Sequence, residues 1–491
     1  MAIAALVVYG LALLFVFFYS LNQLQLVFAY WKQKKKRKQV VHVSEPKEWP
    51  TVTIQLPLYN ELYVVERLID SVSEIEYPEG KLEIQILDDS NDETTTIIRE
   101  KLKQLGGKAQ HFELVIRPER VGYKAGALKY GLEKAKGEFI AVFDADFLPK
   151  KDFLTKTIPH FFTNDKVGVV QTRWEHLNKD YSLLTKIQAF GLDAHFTVEQ
   201  VGRNTNKHFI NFNGTAGVWR KSCILDAGNW EADTLTEDLD LSYRAQIKGW
   251  EFVYLENQGS PAELPATMTA LKSQQFRWNK GAAENVRKNL ARVTKAKLPF
   301  NTKIHAFFHL LNSSVFLCVF TMAMLSIPML FVKHFHKEEL GVLFDWASLF
   351  LLSFVILMMF YGASFYRVTE HKKGRFLKLI RFFPVFLSMS MGLSLHNTIA
   401  VIEGYLGKKS AFIRTPKFNL LVKTDKWEKN SYRIKKVGFV TLLEALLSLY
   451  FLGGIGLAFI LEDYGLILLH IMLTFGFGTV SIYTMKHAMQ E

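Results

Sequence analysis

The sequence contains few cysteines and prolines and lacks the common nucleotide-binding loops. Its two cysteines among 491 residues, Cys223 and Cys318, exclude a disulfide-stabilised scaffold and a zinc site built from several thiolates. No Walker loop and no Gly-x-Gly-x-x-Gly sequence is present, so neither a P-loop nucleotide enzyme nor a dinucleotide oxidoreductase is favoured. A chain with 40 phenylalanines, 13 prolines and 49% hydrophobic residues is also too apolar to be disordered.

The chain carries an excess of positive charge. Lysine and arginine total 60 against 47 aspartate and glutamate residues, which gives a formal net charge of +13. Such an excess suits nucleic acid, but it also suits the anionic cytoplasmic surface of a membrane. Because the basic run at residues 32–38 directly follows an uncharged run at residues 2–31, we expect a lipid bilayer as a partner and no nucleic acid.

Several apolar runs are long enough to cross a bilayer as helices. The first, residues 2–31, is followed by its positive charge, whereas a secretory signal carries positive charge before its apolar core. Its basic end is therefore expected in the cytoplasm and Met1 outside. Further spans are predicted at residues 304–332, 341–366, 437–461 and 464–485. The chain is thus predicted to be an integral membrane protein.

The flanks of residues 376–406 decide how this stretch is interpreted. It is apolar on average, but basic residues both precede and follow it, so both of its ends are expected on the cytoplasmic side. We predict an interfacial or re-entrant segment and five crossings in total, with Glu491 in the cytoplasm. A sixth crossing is the alternative, and it would place the basic loop at 407–436 outside.

These features divide the chain into three regions. Residues 1–38 are predicted to form a transmembrane helix with its basic stop, and residues 45–290 a cytoplasmic domain. Residues 300–491 are predicted to form a second membrane region, which contains the 376–406 segment and the 407–436 loop.

Strand and helix patterns alternate in the predicted cytoplasmic domain. Strands are predicted at residues 51–57, 82–87, 112–116 and 139–143, with helices at 62–72, 92–105 and 124–135. This alternation predicts an α/β domain with a mostly parallel sheet and helices on both faces.

Acidic residues follow two of the predicted strands. Asp88 and Asp89 end the second strand, and Asp144 and Asp146 end the fourth. Ligands of open α/β sheets bind beyond the carboxyl ends of the strands, so the two pairs are expected to converge on one crevice. The Asp-x-Asp spacing places both side chains on one face of an extended chain, where two oxygen ligands suit Mg²⁺ or Mn²⁺. Taken alone, each pair favours a structural role in capping a helix or a turn, but together at the ends of two strands they favour an active site.

Two further clusters carry candidate chemistry. Thr236-Glu237-Asp238 precedes an amphipathic helix, with Thr236 as its N-cap, and its carboxylates suit either helix capping or a general base. Gln274-Gln275-Phe276-Arg277-Trp278 offers a guanidinium for phosphate oxygens and an aromatic face for a sugar. The same cluster also suits an amphipathic helix anchored at a membrane interface.

The order of these motifs resembles that of the processive family 2 glycosyltransferases. The motifs are Pro57-Leu58-Tyr59-Asn60-Glu61, Asp88-Asp89, Asp144-Ala145-Asp146, Thr236-Glu237-Asp238 and Gln274-Gln275-Phe276-Arg277-Trp278. Residues 211–220, Asn-Phe-Asn-Gly-Thr-Ala-Gly-Val-Trp-Arg, are similar to the plant cellulose-synthase-like A and C groups, the glucomannan and xyloglucan-backbone synthases. The resemblance covers roughly residues 50–430. It implies a GT-A-type nucleotide-sugar-binding domain inserted between transmembrane helices.

The resemblance also implies roles for individual residues. Asp238 would be the catalytic base, and Asp144 and Asp146 would hold a Mg²⁺ or Mn²⁺ cofactor. The donor would be bound by Asn60, Glu61, Asp89, Lys124, Asp144, Asp146, Gln274 and Arg277. The acceptor would be bound by Trp278, Asn213, Gly214 and Thr215. A gating loop would contain Phe412, Thr415 and Lys417, with Arg414 at the place where these enzymes usually have valine.

The implied function is transfer of a hexose from UDP-glucose or GDP-mannose to a growing β-linked polysaccharide. The product would be a β-1,4-glucan or mannan, made with inversion at the anomeric carbon and exported through the plasma or inner membrane. The expected partners are the nucleotide-sugar donor, a polysaccharide or oligosaccharide acceptor and the bilayer. No cyclic-di-GMP-binding domain is expected. The alternatives are a single-addition lipid glycosyltransferase of the ceramide or polyprenyl-phosphate type, and a non-catalytic membrane partner or transporter.

Overall fold

A computed structural model describes most of the chain. The described residues are 2–36, 43–336, 338–341, 348–369, 373–427, 431–432 and 437–489. Parts of three predicted features therefore lie outside the described residues. They are Arg37 and Lys38 of the basic run, residues 342–347 of the predicted span at 341–366, and residues 428–430 and 433–436 of the 407–436 loop. Met1 and Glu491, for which sides of the membrane are predicted, also lie outside them.

The described residues contain a seven-stranded sheet. Its strands are β1 (Val52–Leu58), β2 (Leu82–Asp88), β3 (Phe112–Ile116), β4 (Phe139–Val142), β5 (Val167–His176), β6 (Gly217–Arg220) and β7 (Glu251–Ala262). Their spatial order is β3-β2-β1-β4-β6-β5-β7. Strand β6 is antiparallel to both of its neighbours, and the other neighbouring pairs are parallel. The predicted α/β domain with a mostly parallel sheet is confirmed.

The four predicted strands are present, each within one residue of its predicted ends. The strands β5, β6 and β7 were not predicted. They are separated by helical segments rather than by a regular alternation, and β6 is only 4 residues long, too short to show a periodic pattern.

Helix α1 (Ala2–Lys36) precedes the sheet. The helices that follow within the sheet domain are α2 (Val65–Ser73), α3 (Thr94–Leu105), α4 (Tyr123–Lys134), α5 (Phe153–Thr157), α6 (Leu183–Ala194), α7 (Gln200–Thr205), α8 (Lys221–Asp226), α9 (Glu237–Ile247) and α10 (Met268–Lys295). Short 3₁₀ turns lie at Gly106–His111, Ile158–Phe162, Leu311–Ser313 and Ser348–Leu351, and a π-helical segment, His195–Glu199, joins α6 to α7. The later helices are α11 (Phe300–Leu310), α12 (Ser314–Phe335), α13 (Leu352–Val368), α14 (Arg375–Gly392), α15 (Ser394–Leu406), α16 (Phe439–Ile460) and α17 (Ile467–Met489).

The sheet is covered on both faces, which explains why its central strand β4 is apolar throughout. In β4, Phe139 and Ala141 pack into the core that contains α2, whereas Ile140 and Val142 pack into the core that contains α4. Side chains alternate between the faces of a strand, so a strand covered on both sides buries every residue. Because both faces of the sheet are covered by side chains, we expect a ligand to bind at the ends of the strands.

Within the described residues, four helical spans are long and apolar enough to cross a membrane. They are α1, the consecutive helices α11 and α12, α16 and α17. These spans match the runs predicted from residues 2, 304, 437 and 464 onward, and α13 is a shorter apolar helix within the run predicted at 341–366. Helices α14 and α15 meet at a bend of 48°, a geometry that suits either a broken span or a re-entrant loop. The choice between five and six crossings therefore stays a prediction.

A buried ion pair ties α10 to the apolar helix α16. Lys272 Nζ lies 2.6 Å from Glu444 Oε2, and the two side chains are 8% and 0% exposed. The imidazole of His396, in α15, donates from Nε2 to the Lys272 carbonyl oxygen at 2.9 Å. Because α10 also carries the cluster at residues 274–278, these contacts fix that cluster relative to the apolar helices.

We expect Glu444→Gln to destabilise the protein by about 3 kcal/mol, because it leaves the Lys272 ammonium buried without a counter-ion. The double variant Lys272→Gln, Glu444→Gln should recover most of this loss. The matched control is Glu48→Gln, which removes an 85% exposed partner of Lys81 and should change stability by less than about 1 kcal/mol. The midpoint of thermal unfolding of the detergent-solubilised chain measures all three, and equal midpoints for Glu444→Gln and the control would contradict the expectation.

Candidate active site

One cleft brings together most of the residues that the sequence singled out. The predicted residues that line it are Glu61, Asp89, Lys124, Asp144, Asp146, Asn213, Gly214, Asp238, Gln274, Arg277, Trp278, Phe412, Thr415 and Lys417. Glu61, Asp89 and Asp144 follow β1, β2 and β4, respectively. These strands are parallel neighbours, so their C-terminal ends lie at the same edge of the sheet.

Two predicted residues lie behind the wall of the cleft rather than on it. The Asn60 side chain donates to Asn91 Oδ1 (2.8 Å) and accepts from the Asn91 backbone N–H (3.0 Å), at a backbone φ of 56°. The Thr215 hydroxyl accepts from the Asp144 backbone N–H at 2.9 Å. Both side chains therefore shape the loops that carry Glu61 and Asp144.

The two residues of the first acidic pair, Asp88 and Asp89, have different surroundings. Asp88 is buried and accepts hydrogen bonds from the Ser90 backbone N–H and the Thr95 hydroxyl, which caps the end of β2. Asp89 lines the cleft, and its carboxylate is held by the Arg117 guanidinium, with Nε at 2.8 Å and Nη2 at 2.5 Å. Only the second residue of this pair is thus available to a ligand.

The second acidic pair contributes both of its carboxylates to the cleft. Lys124 Nζ contacts Asp144 Oδ1 and donates to the Gly214 carbonyl oxygen at 3.0 Å. Lys417 Nζ lies 2.5 Å from Asp146 Oδ2. Two carboxylates one residue apart form an oxygen donor set that fits Mg²⁺ or Mn²⁺. The Lys124 and Lys417 ammonium groups each balance the negative charge of one of these carboxylates.

Asp238 stands in the first turn of α9, beside Glu237. Burial and the negative charge of Glu237 raise the pKa of Asp238 to about 7, although the Lys124 ammonium opposes the rise. The pKa of Glu237 is also raised by its burial. A carboxyl group with such a pKa exchanges its proton near neutral pH, as a general base requires.

Thr236 occupies the predicted N-cap position of α9 but does not cap the helix through its side chain. Its hydroxyl accepts instead from Asn285 Nδ2 of α10, at 3.0 Å. The predicted cap is wrong in this respect, because α10 packs against the start of α9 and supplies a partner from outside the local sequence.

Gly214 allows the Asn213–Thr215 loop to pass close to Asp238. Its φ is +77°, in the left-handed region, and a Cβ placed on it would lie 3.1 Å from Asp238 Oδ2 and 3.5 Å from Lys124 Nζ. A side chain at this position would therefore be strained and would crowd the carboxylate.

Helix α10 presents Gln274, Arg277 and Trp278 to the cleft. Residues three and four apart share a helix face, which explains why these members of the cluster point the same way. The Arg277 guanidinium lies over the Phe412 ring, 4.5 Å from its centroid, and Nη2 is 3.5 Å from the Thr415 hydroxyl oxygen.

The loop at residues 412–417 lines the cleft and is held by two ion pairs, one from Arg414 and one from Lys417. In addition to the contact of Lys417 with Asp146, Arg414 Nε lies 3.3 Å from Glu61 Oε1, and Arg414 Nη1 donates to the Asn60 carbonyl oxygen. Burial raises the pKa of Glu61 to about 8, and the Arg414 guanidinium opposes this rise.

The large side chains of the cleft that were not predicted include Arg120 and Trp174. The Arg120 guanidinium lies 3.3 Å from the Tyr59 ring centroid, and the Trp174 ring packs 6.5 Å from that of Trp278. Trp174 lies near the end of β5, which was itself not predicted, so no sequence signal located it. Arg120 lies between β3 and α4, in a βα loop of the kind that forms such sites, and this position was a usable signal.

A second cavity adjoins the cleft at Gln274 and Trp278, which line both. It extends between the apolar helices and is largely lined by aliphatic and aromatic side chains. Its polar lining includes Gln188 and Asn397, and its aromatic lining includes Tyr361. The cleft and a cavity in the apolar part of the protein thus share Gln274 and Trp278 as a common wall.

Comparison with protein families and curated proteins gives a consistent set of relatives. The family model described as "Glycosyltransferase like family 2" matches residues 50–281. The chain is 32% identical over 463 residues to glucomannan 4-beta-mannosyltransferase 9 of Arabidopsis thaliana, covering 89% of this chain and 82% of that protein. It is 44% identical over 257 residues to probable glucomannan 4-beta-mannosyltransferase 4 of Oryza sativa subsp. japonica, covering 52% of this chain and 47% of that protein. The matched region thus spans about half the length of the rice relative.

Among solved structures, the chain is similar to a mannosyltransferase from Pyrobaculum calidifontis, PcManGT, in complex with GDP-Man and Mn²⁺. The TM-score is 0.52 at 18% sequence identity, and the match covers 83% of this chain and 99% of that one. This likeness shows a shared fold, the GT-A-like α/β domain.

We expect Gly214→Ala to destabilise the protein by about 2 kcal/mol, because the new Cβ is strained at positive φ and meets the Asp238 carboxylate. Gly80→Ala is the matched control, since Gly80 has a φ of +72° but a Cβ placed on it would have no atom within 4 Å. It should lose only about 1 kcal/mol, from the backbone conformation alone. Thermal unfolding midpoints measure both variants, and an equal loss would show that the approach to Asp238 is not tight.

Proposed function

Because the chain belongs to the family 2 glycosyltransferases of the cellulose-synthase-like kind, we propose that it is a membrane-embedded, inverting hexosyltransferase that extends a β-linked polysaccharide. Its relatives are glucomannan 4-beta-mannosyltransferases, so the proposed product is a β-1,4-mannan or glucomannan and the first-choice donor is GDP-mannose. UDP-glucose is the second donor that we propose.

The observation that carries this proposal is the shared cleft of Asp89, Asp144, Asp146 and Asp238. A nucleotide sugar needs a polar contact for its nucleoside, positive charge for its diphosphate and a base on the opposite side of its sugar. Carboxylates alone would repel a diphosphate, but Lys124 and Arg277 line the same cleft. The arrangement therefore suits an anionic donor with a sugar at its end.

Donor binding is assigned to the sheet edge and to α10. Glu61 and Asp89, with the loop shaped by Asn60, would contact the nucleoside. Lys124, Gln274 and Arg277 would contact the diphosphate, whose negative charge grows as the glycosidic bond breaks. Asp144 and Asp146 would hold a Mg²⁺ or Mn²⁺ ion, which when bound supplies further positive charge at the leaving group.

Asp238 would act as the general base. Its carboxylate accepts the proton of the acceptor hydroxyl while that oxygen attacks the anomeric carbon and the nucleoside diphosphate leaves from the opposite side. A single displacement inverts the anomeric centre, so an α-linked donor yields a β-linkage. Gly214, which passes beside the carboxylate, leaves room for the acceptor at this point.

The acceptor is assigned to the junction between the cleft and the second cavity. Trp278 would stack on a sugar ring of the growing chain, with Trp174 beside it, and Asn213 and the Gly214–Thr215 backbone would form the adjoining wall. The product would then pass along the cavity between the apolar helices, coupling synthesis to export. This path needs the sheet domain in the cytoplasm, next to the donor, and the apolar helices in the membrane.

The loop containing Phe412, Thr415 and Lys417 is proposed to gate the donor site. Its lysine contacts Asp146 and its aromatic ring contacts Arg277, so a donor and its metal ion must displace some of these contacts on entry. Arg414 adds an ion pair with Glu61 that a valine at this place would not form.

The direct test is incubation of membranes containing the chain with radiolabelled GDP-mannose or UDP-glucose, with Mn²⁺, Mg²⁺ or EDTA. We expect label in polymer that resists lipid extraction and is cut by a β-mannanase, with GDP-mannose the better donor, and no product in EDTA. A product limited to a one-sugar glycolipid would favour the lipid glycosyltransferase, and no turnover of any nucleotide sugar would favour a non-catalytic partner. Either result would contradict the proposal.

Asp238→Asn should reduce transfer by at least about a thousandfold, because an amide cannot accept the proton, while donor binding changes little. In the unaltered chain the transfer rate should rise as pH increases through about 7, since only the ionised Asp238 carboxylate is active. Glu237, Lys124 and Asp144 surround this carboxylate and set the midpoint. Asp180→Asn, which alters a 69% exposed carboxylate, is the control and should retain full activity. Normal turnover in the Asp238 variant would remove the base assignment.

A further inference from the structure

Asn213 is held at the cleft wall by one hydrogen bond to its backbone and by contacts at both ends of its side-chain amide. Its backbone N–H donates to Gln171 Oε1 (3.1 Å), its Oδ1 accepts from Gln200 Nε2 (2.7 Å), and its Nδ2 lies 3.0 Å from His195 Nε2. The two side-chain contacts fix which end of the amide faces which neighbour.

The partners determine which ring nitrogen of a neutral His195 carries the proton. Gln200 Nε2 also lies 3.2 Å from the Asn211 carbonyl oxygen, so this nitrogen is the donor end of the Gln200 amide. Asn213 Oδ1 therefore accepts from it, and Asn213 Nδ2 must donate to His195 Nε2. The proton of the neutral ring is left on Nδ1, which lies 2.9 Å from Glu199 Oε2.

Glu199 is anchored in turn by a buried arginine. Arg203, 1% exposed, donates from Nε and Nη2 to Glu199 Oε1 at 3.1 and 2.9 Å. Its Nη1 donates to the carbonyl oxygen of His305 in α11, at 3.1 Å. A chain of hydrogen bonds thus runs from the cleft wall to the first turns of the apolar α11–α12 span.

The histidine lies in the π-helical segment His195–Glu199, between α6 and α7. Such segments occur frequently at functional sites, where the widened turn re-aims side chains. Here His195 faces both Glu199, on its own segment, and Asn213, on the loop before β6. The Glu199–Arg203 ion pair forms without the histidine. The His195 ring therefore connects this ion pair to Asn213 instead of completing it.

We propose that His195 is a positioning residue for glycosyl transfer. As a neutral imidazole protonated on Nδ1, it orients the Asn213 amide so that the second Nδ2 hydrogen is left for a hydroxyl oxygen of the acceptor sugar. Gly214, the next residue, lies against the Asp238 carboxylate, so this contact would place the acceptor beside the base. The inference rests on the proposed function, because it assigns a contact within that acceptor site.

Two substitutions separate the two contacts of the ring. In His195→Gln the amide oxygen takes the approximate place of Nε2 and can still accept from Asn213. In His195→Asn the shorter amide takes the place of Nδ1, so it can donate to Glu199 but does not reach Asn213. A histidine with only a structural role would be replaced better by asparagine, and a positioning histidine better by glutamine.

The experiment uses the full solubilised chain with GDP-mannose, Mn²⁺ and a β-1,4-mannotetraose acceptor. GDP release is measured with the acceptor, as transfer, and without it, as hydrolysis by water. We expect His195→Asn to lower the ratio of transfer to hydrolysis about tenfold, the size of one lost hydrogen bond, and His195→Gln to restore most of it. Equal ratios in the two variants, or transfer and hydrolysis falling together in both, would overturn the proposal.

A second measurement separates failure of this inference from failure of the proposed function. If the unaltered chain turns over no GDP-mannose, the donor assignment fails, and His195 is judged by its tautomer alone. Solid-state ¹⁵N spectra of histidine-labelled chain, with the His195 signals assigned by their loss in His195→Gln, should show a neutral ring protonated on Nδ1 at pH 7.5. A proton on Nε2, or a doubly protonated ring, would overturn the proposal whatever the donor.

Discussion

The cleft depends on neutralising the negative charge of the carboxylates that the sheet brings together at one edge. Parallel strands β1, β2 and β4 open together, so their acidic ends approach one another in a partly buried site where repulsion is poorly screened. Each carboxylate is stabilised by a cation from a different element. The pairs are Asp89 with Arg117, Asp144 with Lys124, Asp146 with Lys417, and Glu61 with Arg414. An isolated charge in this place would be costly, so these pairs hold the surrounding loops in position.

The same balance makes the sheet domain and the later helices one functional unit. Arg277 comes from α10, which is tied to α16 by the Lys272–Glu444 pair, and Lys417 comes from a loop that follows α15. The network from Asn213 through Arg203 to α11 adds a third connection. A sheet domain separated from the later helices would retain its acidic edge but would lose Arg414 and Lys417, two of the cations that face it.

Sequence reasoning located the acidic residues well and their partners poorly. Asp144 and Asp146 were identified because a strand of known period ends beside them, and Asp238 because it begins a helix. Trp174 was missed because β5 follows no regular alternation, and the partner of Thr236 was missed because Asn285 is 49 residues away. Asn60 was predicted to contact the donor, yet its side chain is engaged by Asn91 and only its neighbour Glu61 lines the cleft.

Local chemistry determined the elements of this protein, and chain packing determined its site. The lengths of the apolar runs and the alternation over residues 51–143 were sufficient for the membrane spans and the fold class, because each is a property of neighbouring residues. The family came from the resemblance of the ordered motifs to those of known enzymes. The pairing of Lys417 with Asp146 joins residues 271 positions apart, and that of Arg414 with Glu61 joins residues 353 apart. No local pattern specifies such contacts, since they exist only where the folded backbone brings opposite charges within a few ångströms and excludes the water that would otherwise screen them.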